Sequence, residues 1–573
     1  MTDSMKQLDL EDSTITSLNQ LGSIGGIVRS EELGLGDKYH QNYILIVSKE
    51  HKVQVNKDNA NTKTDAVFLL VDERISKGQS PINTEEYREH VRCVRRYTDT
   101  HYGIRPQITY ASTDIILNAL KNSLSNSNNE HRNKTEIEID ELLLKAHELN
   151  ASDVHIVCSD TVGETRIKFR QDGELLMYGH ERNQDSIHDL ASVLYSSLAA
   201  EDGAIKDASF DSLTKQDGVI YRTVGSLRLG ARIASHPTEK KDKNFVMVLR
   251  MLGDQYETAT KIPFNQLGFE FNQAAKIAQC LYGKGIVLII GETNSGKSVT
   301  MANMMMEIDE ESNHTRHIVS FENPIERQIN GVNQINLIDS GASSNSTLDD
   351  SFKAAMEFIV RADPDDVAVG EVRDKSTCSS SQQLALTGHN VLATMHCDSP
   401  FDVMERMIGL GASERQLKSG ETMKAVVSQK LFKKLCPHCS QTIFEQTNLT
   451  ALQQAAVKQL AEMGLSHKLD VVKFRNEAGC DKCDYRGIKG RRLVAEIVEY
   501  TIPILQALAA DNKDEAKRLW LNDSGFSRKD VALFCIFQGL IDPTNVIEQL
   551  SDLNETYHLR EQFDIQHPAE IYG

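Results

Sequence analysis

The run Gly291-Glu292-Thr293-Asn294-Ser295-Gly296-Lys297-Ser298 has the spacing G-x-x-x-x-G-K-S, the composition of a loop built to wrap phosphate. Glycines let backbone N–H groups turn inward around the anion, Lys297 supplies a point charge, and Ser298 offers a hydroxyl to Mg²⁺. The apolar run Ile286 to Ile290 precedes the loop and the helix-compatible Val299 to Met304 follows it. A strand, the loop and a helix aiming its positive end at the anion are therefore expected, with Gly291 through Val299 as the nucleotide-binding stretch. Two strand candidates further on end in carboxylates: Phe321-Glu322-Asn323-Pro324-Ile325-Glu326 and Val369-Gly370-Glu371. Strand carboxyl ends are where α/β sheets build ligand sites, so Glu371 suits Mg²⁺ or the orientation of an attacking water. A fourth strand candidate is bracketed by His389 and His396.

A second chemistry lies downstream. Cys436-Pro437-His438-Cys439 and Cys480-Asp481-Lys482-Cys483 are two C-x-x-C pairs separated by about 40 residues. Each pair reaches two corners of a tetrahedron from one tight turn, and soft thiolates favour zinc, so Cys436, Cys439, Cys480 and Cys483 are assigned to a structural Zn²⁺. The other cysteines show no partner spacing, and ten in 573 residues are too sparse for a disulfide scaffold.

The elements that must position these groups alternate. Ile286–Ile290, Ile318–Phe321, Val367–Val369 and Val391–Met395 are strand candidates separated by helical stretches, which predicts an α/β core with a largely parallel sheet. Before it, residues 131–252 read as a smaller α+β domain: helical spacing over Glu136–Asn150, strands near Val154–Val157 and Arg166–Arg170, and a helix over Ile187–Ala200. Two strands follow, Ser226–Ile233 and Phe245–Arg250. Residues 253–263 read as a linker, and Asn122–Lys134 is a polar stretch marking another boundary. Residues 1–130 show only the strands Tyr43–Val47 and Ala66–Val71, joined by a polar connection. The length of 573 residues predicts several domains. The net charge of −19 disfavours broad attraction to nucleic acid or anionic lipid. No apolar stretch approaches the roughly 20 residues needed to span a bilayer, and the polar, acidic start is unlike a signal peptide, so a cytoplasmic protein is expected.

In this order and at these separations, the motifs resemble those of the secretion ATPases of type II secretion and type IV pilus systems. In that family a phosphate loop is followed by an acidic box, here Phe321–Glu326, and then by a Walker B variant ending in Gly370-Glu371, preceded here by Arg361-Ala362-Asp363-Pro364-Asp365. A histidine box comes next, here Thr387–His396. Ala151-Ser152-Asp153-Val154-His155 and Arg170-Gln171-Asp172-Gly173 are similar to its signatures upstream of the motor. The resemblance spans roughly residues 140 to 550. It implies a RecA-like P-loop ATPase core within residues 264–573, with a zinc-stapled subdomain near 430–495 and a helical C-terminus. It further implies ATP hydrolysis with Mg²⁺ held by Ser298 and Glu371, and Lys297 on the β- and γ-phosphates. Glu326 orients or deprotonates water, with Glu322 second, and His389 and His396 sense the γ-phosphate or link subunits. Arg228, Arg232 and Arg250 of the preceding domain clamp the phosphates.

The tetracysteine insertion resembles that of assembly and secretion members, whereas retraction ATPases usually lack it. The implied assembly is a homohexamer beneath a polytopic inner-membrane platform protein, with residues 1–130 as an adaptor for a membrane-associated partner. Two departures stand out: Asn323 where the family usually has aspartate, and Glu292 and Asn294 where proline and glycine are common. A retraction or conjugation-type ATPase, a nucleic-acid translocase on the same core, and a nucleotide-gated scaffold are the alternatives. The charge balance and the lack of a basic, aromatic stripe argue against the translocase.

Overall fold

The computed structural model describes residues 14–15, 24–28, 43–57, 60–72, 84–101, 106–111, 134–161, 165–179, 182–199, 209–225, 227–238, 244–254, 257–337, 348–446 and 448–572. The chain divides into two compact units, Met1–Glu257 and Thr258–Gly573.

The first unit carries two sheets. One has five strands in the order Thr14–Ile15, Gln107–Ala111, Ala60–Asp72, Tyr43–Lys57, Ile24–Val28, accompanied by the helix Thr84–His101. Its central pair is a long antiparallel hairpin with Tyr43 opposite Val71 and Lys57 opposite Ala60. The lysine- and asparagine-rich stretch read from sequence as a connection is therefore strand on both sides, because each arm supplies the other's backbone partners. The second sheet has six antiparallel strands: Glu174–Tyr178, Arg166–Gln171, Asp153–Cys158, Phe245–Asp254, Leu227–Pro237 and Gln216–Val224. Period-two burial on these strands sends Val154, Ile156, Leu229, Ala231, Ile233, Met247 and Leu249 into one core with Ile139, Leu143 and Leu190 of the helices. The helix expected over Ile187–Ala200 is α-helical over Gln184–Ser192 and widens to a π-helix over Val193–Ala199. The strand Phe245–Asp254 continues into the stretch expected to be a linker. The boundary expected over Asn122–Lys134 lies outside the described residues except for Lys134, which opens the helix Lys134–Glu148.

The second unit is built on seven strands in the order Val332–Asn336, Ile318–Glu322, Asp366–Val369, Asn390–Met395, Gly285–Ile290, Met423–Leu435, Ile488–Glu499. Every neighbouring pair is parallel except the last, which is antiparallel. The Gly285–Ile290 strand is buried at every position, as a central parallel strand with helices on both faces must be. Its alternate side chains feed two cores, Ile286, Leu288 and Ile290 on one face and Val287 and Ile289 on the other. The polar strand Val332–Asn336 escaped the sequence reading because Val-Asn-Gln-Ile-Asn lacks an apolar run; among the described residues it is an edge strand, paired to Ile318–Glu322. A separate core joins Phe432, Leu460, Phe474 and Val494 to the C-terminal Val531, Ile536 and Val546.

Candidate functional site

The sheet ends in the phosphate loop at Gly291, whose φ of 147° lies in the region that favours glycine. A Cβ there would sit 2.4 Å from the Gln429 carbonyl oxygen, so the close approach of strand and loop also requires glycine. Gly296 caps the helix Lys297–Glu311 in the left-handed conformation. Lys297 is buried, and its Nζ donates to the carbonyls of Gly291 at 2.8 Å and Glu292 at 2.7 Å. Phosphate oxygens are alternative acceptors for the same ammonium. Burial lowers the pKa of Lys297, while the nearby Glu371 and Glu292 carboxylates pull it back up. Ser298 is exposed in the first helical turn, where its hydroxyl can meet a cation.

The carboxylates lie at the same edge. Four adjacent strands end there, carrying in order Glu322, Gly370-Glu371, His396 and the phosphate loop. At about 4.8 Å per strand, His396 is one spacing from the loop's strand, Glu371 two and Glu322 three, or about 14 Å. The contacts follow that order. His396 Nδ1 is 3.2 Å from the Gly291 carbonyl oxygen, and its Nε2 is 3.2 Å from Glu371 Oε1. Gly370 admits the turn because a Cβ would lie 2.8 Å from the Phe321 carbonyl oxygen. Glu322 turns sideways, accepting from Ser320 Oγ at 2.7 Å and Gln334 Nε2 at 2.9 Å. Its burial raises its pKa above the ordinary carboxylate value, against the pull of those two donors. Glu326 is exposed on the loop beyond the strand.

Of the two roles expected of His389, sensing the γ-phosphate within its own chain is corrected by its place in the sheet. It precedes the strand that His396 follows, so the two rings stand at opposite edges of the sheet, about 20 Å apart along six residues. The His389 carbonyl accepts from the Gly285 amide at 3.1 Å, at the beginning of the strand whose other end carries the phosphate loop. Within this chain, His389 does not join the phosphate site. The Arg361–Asp365 segment is at that amino edge too, where Asp365 Oδ2 accepts from the His317 amide at 2.8 Å. His389, Arg316 and Asp365 line a cavity of about 340 Å³ there.

In the first unit, Arg232 and Arg250 are directly opposite one another on neighbouring antiparallel strands. Together with Asp153 and Asp217 they line a cavity of about 500 Å³. Arg250 Nε donates to Asp153 Oδ1 at 3.2 Å. Arg228 instead lays its guanidinium over the Tyr221 ring, 5.6 Å from the centroid.

The four cysteines pass a geometric test. A tetrahedral Zn²⁺ with Zn–S near 2.3 Å places its sulfurs about 3.8 Å apart. Cys436 and Cys480 Sγ are 3.8 Å apart, Cys439 and Cys483 3.8 Å, and Cys480 and Cys483 3.7 Å. The donor set is all thiol, as a closed structural site demands. Although burial opposes it, amide donors at Cys480 and Gly487 help draw the Cys483 thiol down to about 6. The cluster closes the open end of the antiparallel pair, where Leu435 faces Ile488 and the Cys436 amide donates to the Gly487 carbonyl at 3.0 Å.

Three residues that brace the loop had no signal in the sequence, because each lies more than 130 residues from its contact. Gln429 Nε2 donates to the Ser295 carbonyl at 2.8 Å, Lys430 Nζ to Glu292 Oε1 at 2.8 Å, and Arg491 Nη1 to the Asn294 carbonyl at 3.3 Å.

A phosphate loop between the central strand and its helix, with acidic and histidine side chains on adjacent strand ends of a mainly parallel sheet, defines a RecA-like P-loop ATPase core. The Legionella pneumophila ATPase DotB shares this fold, with a TM-score of 0.50 at 21% identity over 72% of this chain and 95% of that one. The chain belongs to the family described as Type II/IV secretion system protein, whose model matches residues 128–533. Among its relatives, the putative type II secretion system protein E of Escherichia coli K12 is 29% identical over 382 residues, covering 66% of this chain and 69% of the relative. The type II secretion system ATPase E of Vibrio cholerae is 27% identical over 407 residues, covering 70% and 72%. The type IV pilus assembly ATPase PilB of Pseudomonas aeruginosa is 28% identical over 396 residues, covering 67% and 62%.

Proposed function

We propose that this chain is an ATP-hydrolysing motor for type IV pilus assembly or type II secretion, with its reaction centre at the carboxyl edge of the seven-stranded sheet. The observation that carries this reading is the convergence of Gly291, His396 and Glu371 through contacts of 3.2 Å beside a buried Lys297. Lys297 neutralises charge on the β- and γ-phosphates, which is the main demand of phosphoryl transfer. Ser298 and Glu371 would hold Mg²⁺, which would supply further neutralisation of the triphosphate charge. His396 fixes Glu371 relative to the loop. Glu326, exposed and beyond the strand end, orients or deprotonates the attacking water, and Glu322, tied to Ser320 and Gln334, shapes the loop that presents it. Arg228, Arg232 and Arg250 of the preceding domain are the proposed phosphate clamps, and the cavity that Arg232 and Arg250 share within their own unit supports a joint role for those two.

The tetracysteine cluster holds Zn²⁺ and favours assembly or secretion over retraction. Among the described residues no helix is long and apolar enough to cross a membrane. The working form in this reading is a cytoplasmic homohexamer docked on a polytopic inner-membrane platform protein, with the N-terminal module contacting a membrane-associated adaptor. Phosphate release from Mg·ATP tests the enzyme. Lys297→Ala, Glu371→Gln and Glu326→Gln are each expected to lower kcat at least about 100-fold. His396→Ala lowers turnover, whereas His389→Ala leaves the monomer's affinity for ATP unchanged. Equal, near-zero rates for wild type and Lys297→Ala would sink the motor reading in favour of a nucleotide-gated scaffold.

A further inference from the structure

The phosphate loop is gripped from outside by the antiparallel strand pair that leads to the zinc cluster. The buried Gln429 amide donates from Nε2 to the Ser295 carbonyl at 2.8 Å and accepts from Thr300 Oγ1 at 2.9 Å, tying the loop to the first turn of its own helix. A planar trans peptide points its carbonyl and its amide to opposite sides, so holding the Ser295 carbonyl outward turns the Gly296 N–H inward toward the phosphates. Arg491, on the partner strand, holds the Asn294 carbonyl at 3.3 Å, and Asn294 has a φ of 64°, a conformation that costs a non-glycine residue free energy. Lys430 holds the Glu292 carboxylate at 2.8 Å and the Gln549 carbonyl at 3.0 Å. Glu292 thus faces two lysines: its side chain meets Lys430, and its backbone carbonyl is one of the two that hold Lys297 Nζ. The Lys430 stem is largely buried and Glu292 is more than half exposed, so the strand is the fixed partner and the loop the one being held.

We infer that Gln429, Lys430 and Arg491 are positioning residues for the triphosphate, holding the loop in its binding geometry in place of any rigidity of its own. The inference rests on ATP binding at this loop. Removing a grip lets the loop relax in the free enzyme, which weakens ATP binding while leaving the bound centre competent, so KM rises and kcat stays. A residue that only stabilised the fold would lower the melting temperature and the active fraction, and KM would not move.

The test is steady-state phosphate release by the full chain over a range of Mg·ATP concentrations. Arg491→Gln is expected to raise KM about fivefold, as befits one charge-assisted bond at an exposed site, and Lys430→Met about tenfold, each with kcat within about twofold of wild type. Arg491→Lys and Lys430→Arg, which keep a donor, stay within about twofold of wild type in KM. Glu292→Gln reproduces a large part of the Lys430→Met effect, and the double variant is no worse than Lys430→Met alone, because both remove the same pair. Unchanged KM in Arg491→Gln and Lys430→Met, or a silent Glu292→Gln beside an impaired Lys430→Met, overturns the inference. Lys297→Ala is the control: if it hydrolyses ATP like wild type, the site reading itself has failed, whereas its inactivity beside unaffected grip variants refutes only the positioning role.

Discussion

Zinc removal has a size that can be worked from the structure. The two cysteine pairs are separated by about 40 residues, and a cross-link closing a loop of that length removes roughly 4 kcal/mol of chain entropy from the open state. The linked segment has its own packing, with Leu460, Val472 and Phe474 in a core shared with Phe432 and the C-terminal Ile536. Loss of the metal is therefore expected to open the subdomain without unfolding the parallel sheet, whose cores are separate. An opening made about 4 kcal/mol easier is populated roughly 1,000 times more often. Protein purified without added metal should carry about one zinc per chain. After exhaustive chelation, amide exchange between Gln441 and Phe474 should accelerate by about three decades while exchange in Gly285–Ile290 changes little. Cys439→Ser should bind zinc at least 100-fold more weakly and show the same exchange pattern. Metal-free protein with wild-type exchange over 441–474 would refute the argument.

Two further outcomes concern stability. Glu322 has a folded pKa raised above 4.5 by burial, so its contribution to stability is full below that value and is lost as pH rises through the folded pKa. Glu322→Gln should raise the melting temperature at pH 7, with the gain vanishing below about pH 4.5; a gain independent of pH would contradict the assignment. Arg560 and Asp530 form a buried pair at 3.0 Å, with Arg560 also donating to the Gly525 carbonyl at 2.8 Å. Ser527 also donates to Asp530 Oδ2, from its amide at 3.0 Å and its hydroxyl at 3.1 Å. Arg560→Met should cost about 3 to 5 kcal/mol in urea unfolding by removing the cationic partner of a buried carboxylate, and a loss under 1 kcal/mol would show that the Ser527 donors suffice.

Local chemistry was the legible part of the sequence. The phosphate loop, the acidic strand ends and the cysteine pairs are each written in a few consecutive residues, and Ile286–Ile290 announced a doubly buried strand. What pattern could not supply was direction across the sheet. His389 and His396 bracket one strand and so look like partners, yet a strand separates its two ends by its whole length. The polar edge strand Val332–Asn336 hid for a related reason, since its pairing with Ile318–Glu322 and not its own composition makes it a strand. Gln429, Lys430 and Arg491 were illegible because their partners are remote in sequence and became neighbours only when the Met423–Leu435 strand was laid beside Gly285–Ile290. Arg232 and Arg250 required register, which places them opposite one another.

The Met423–Leu435 strand is more than twice as long as the Gly285–Ile290 strand beside it. Ser428 is the last residue paired to that neighbour, so the remainder runs on past the reactive edge, paired to Ile488–Glu499 and packed at Phe432 against the C-terminal helices. Seven residues of overhang measure about 23 Å. Mechanically this is a stiff arm rooted at the phosphate loop and weighted at its tip by the cysteine cluster. A tilt of about 5° at the root would sweep the tip through about 2 Å and would carry with it the C-terminal helices packed on Phe432.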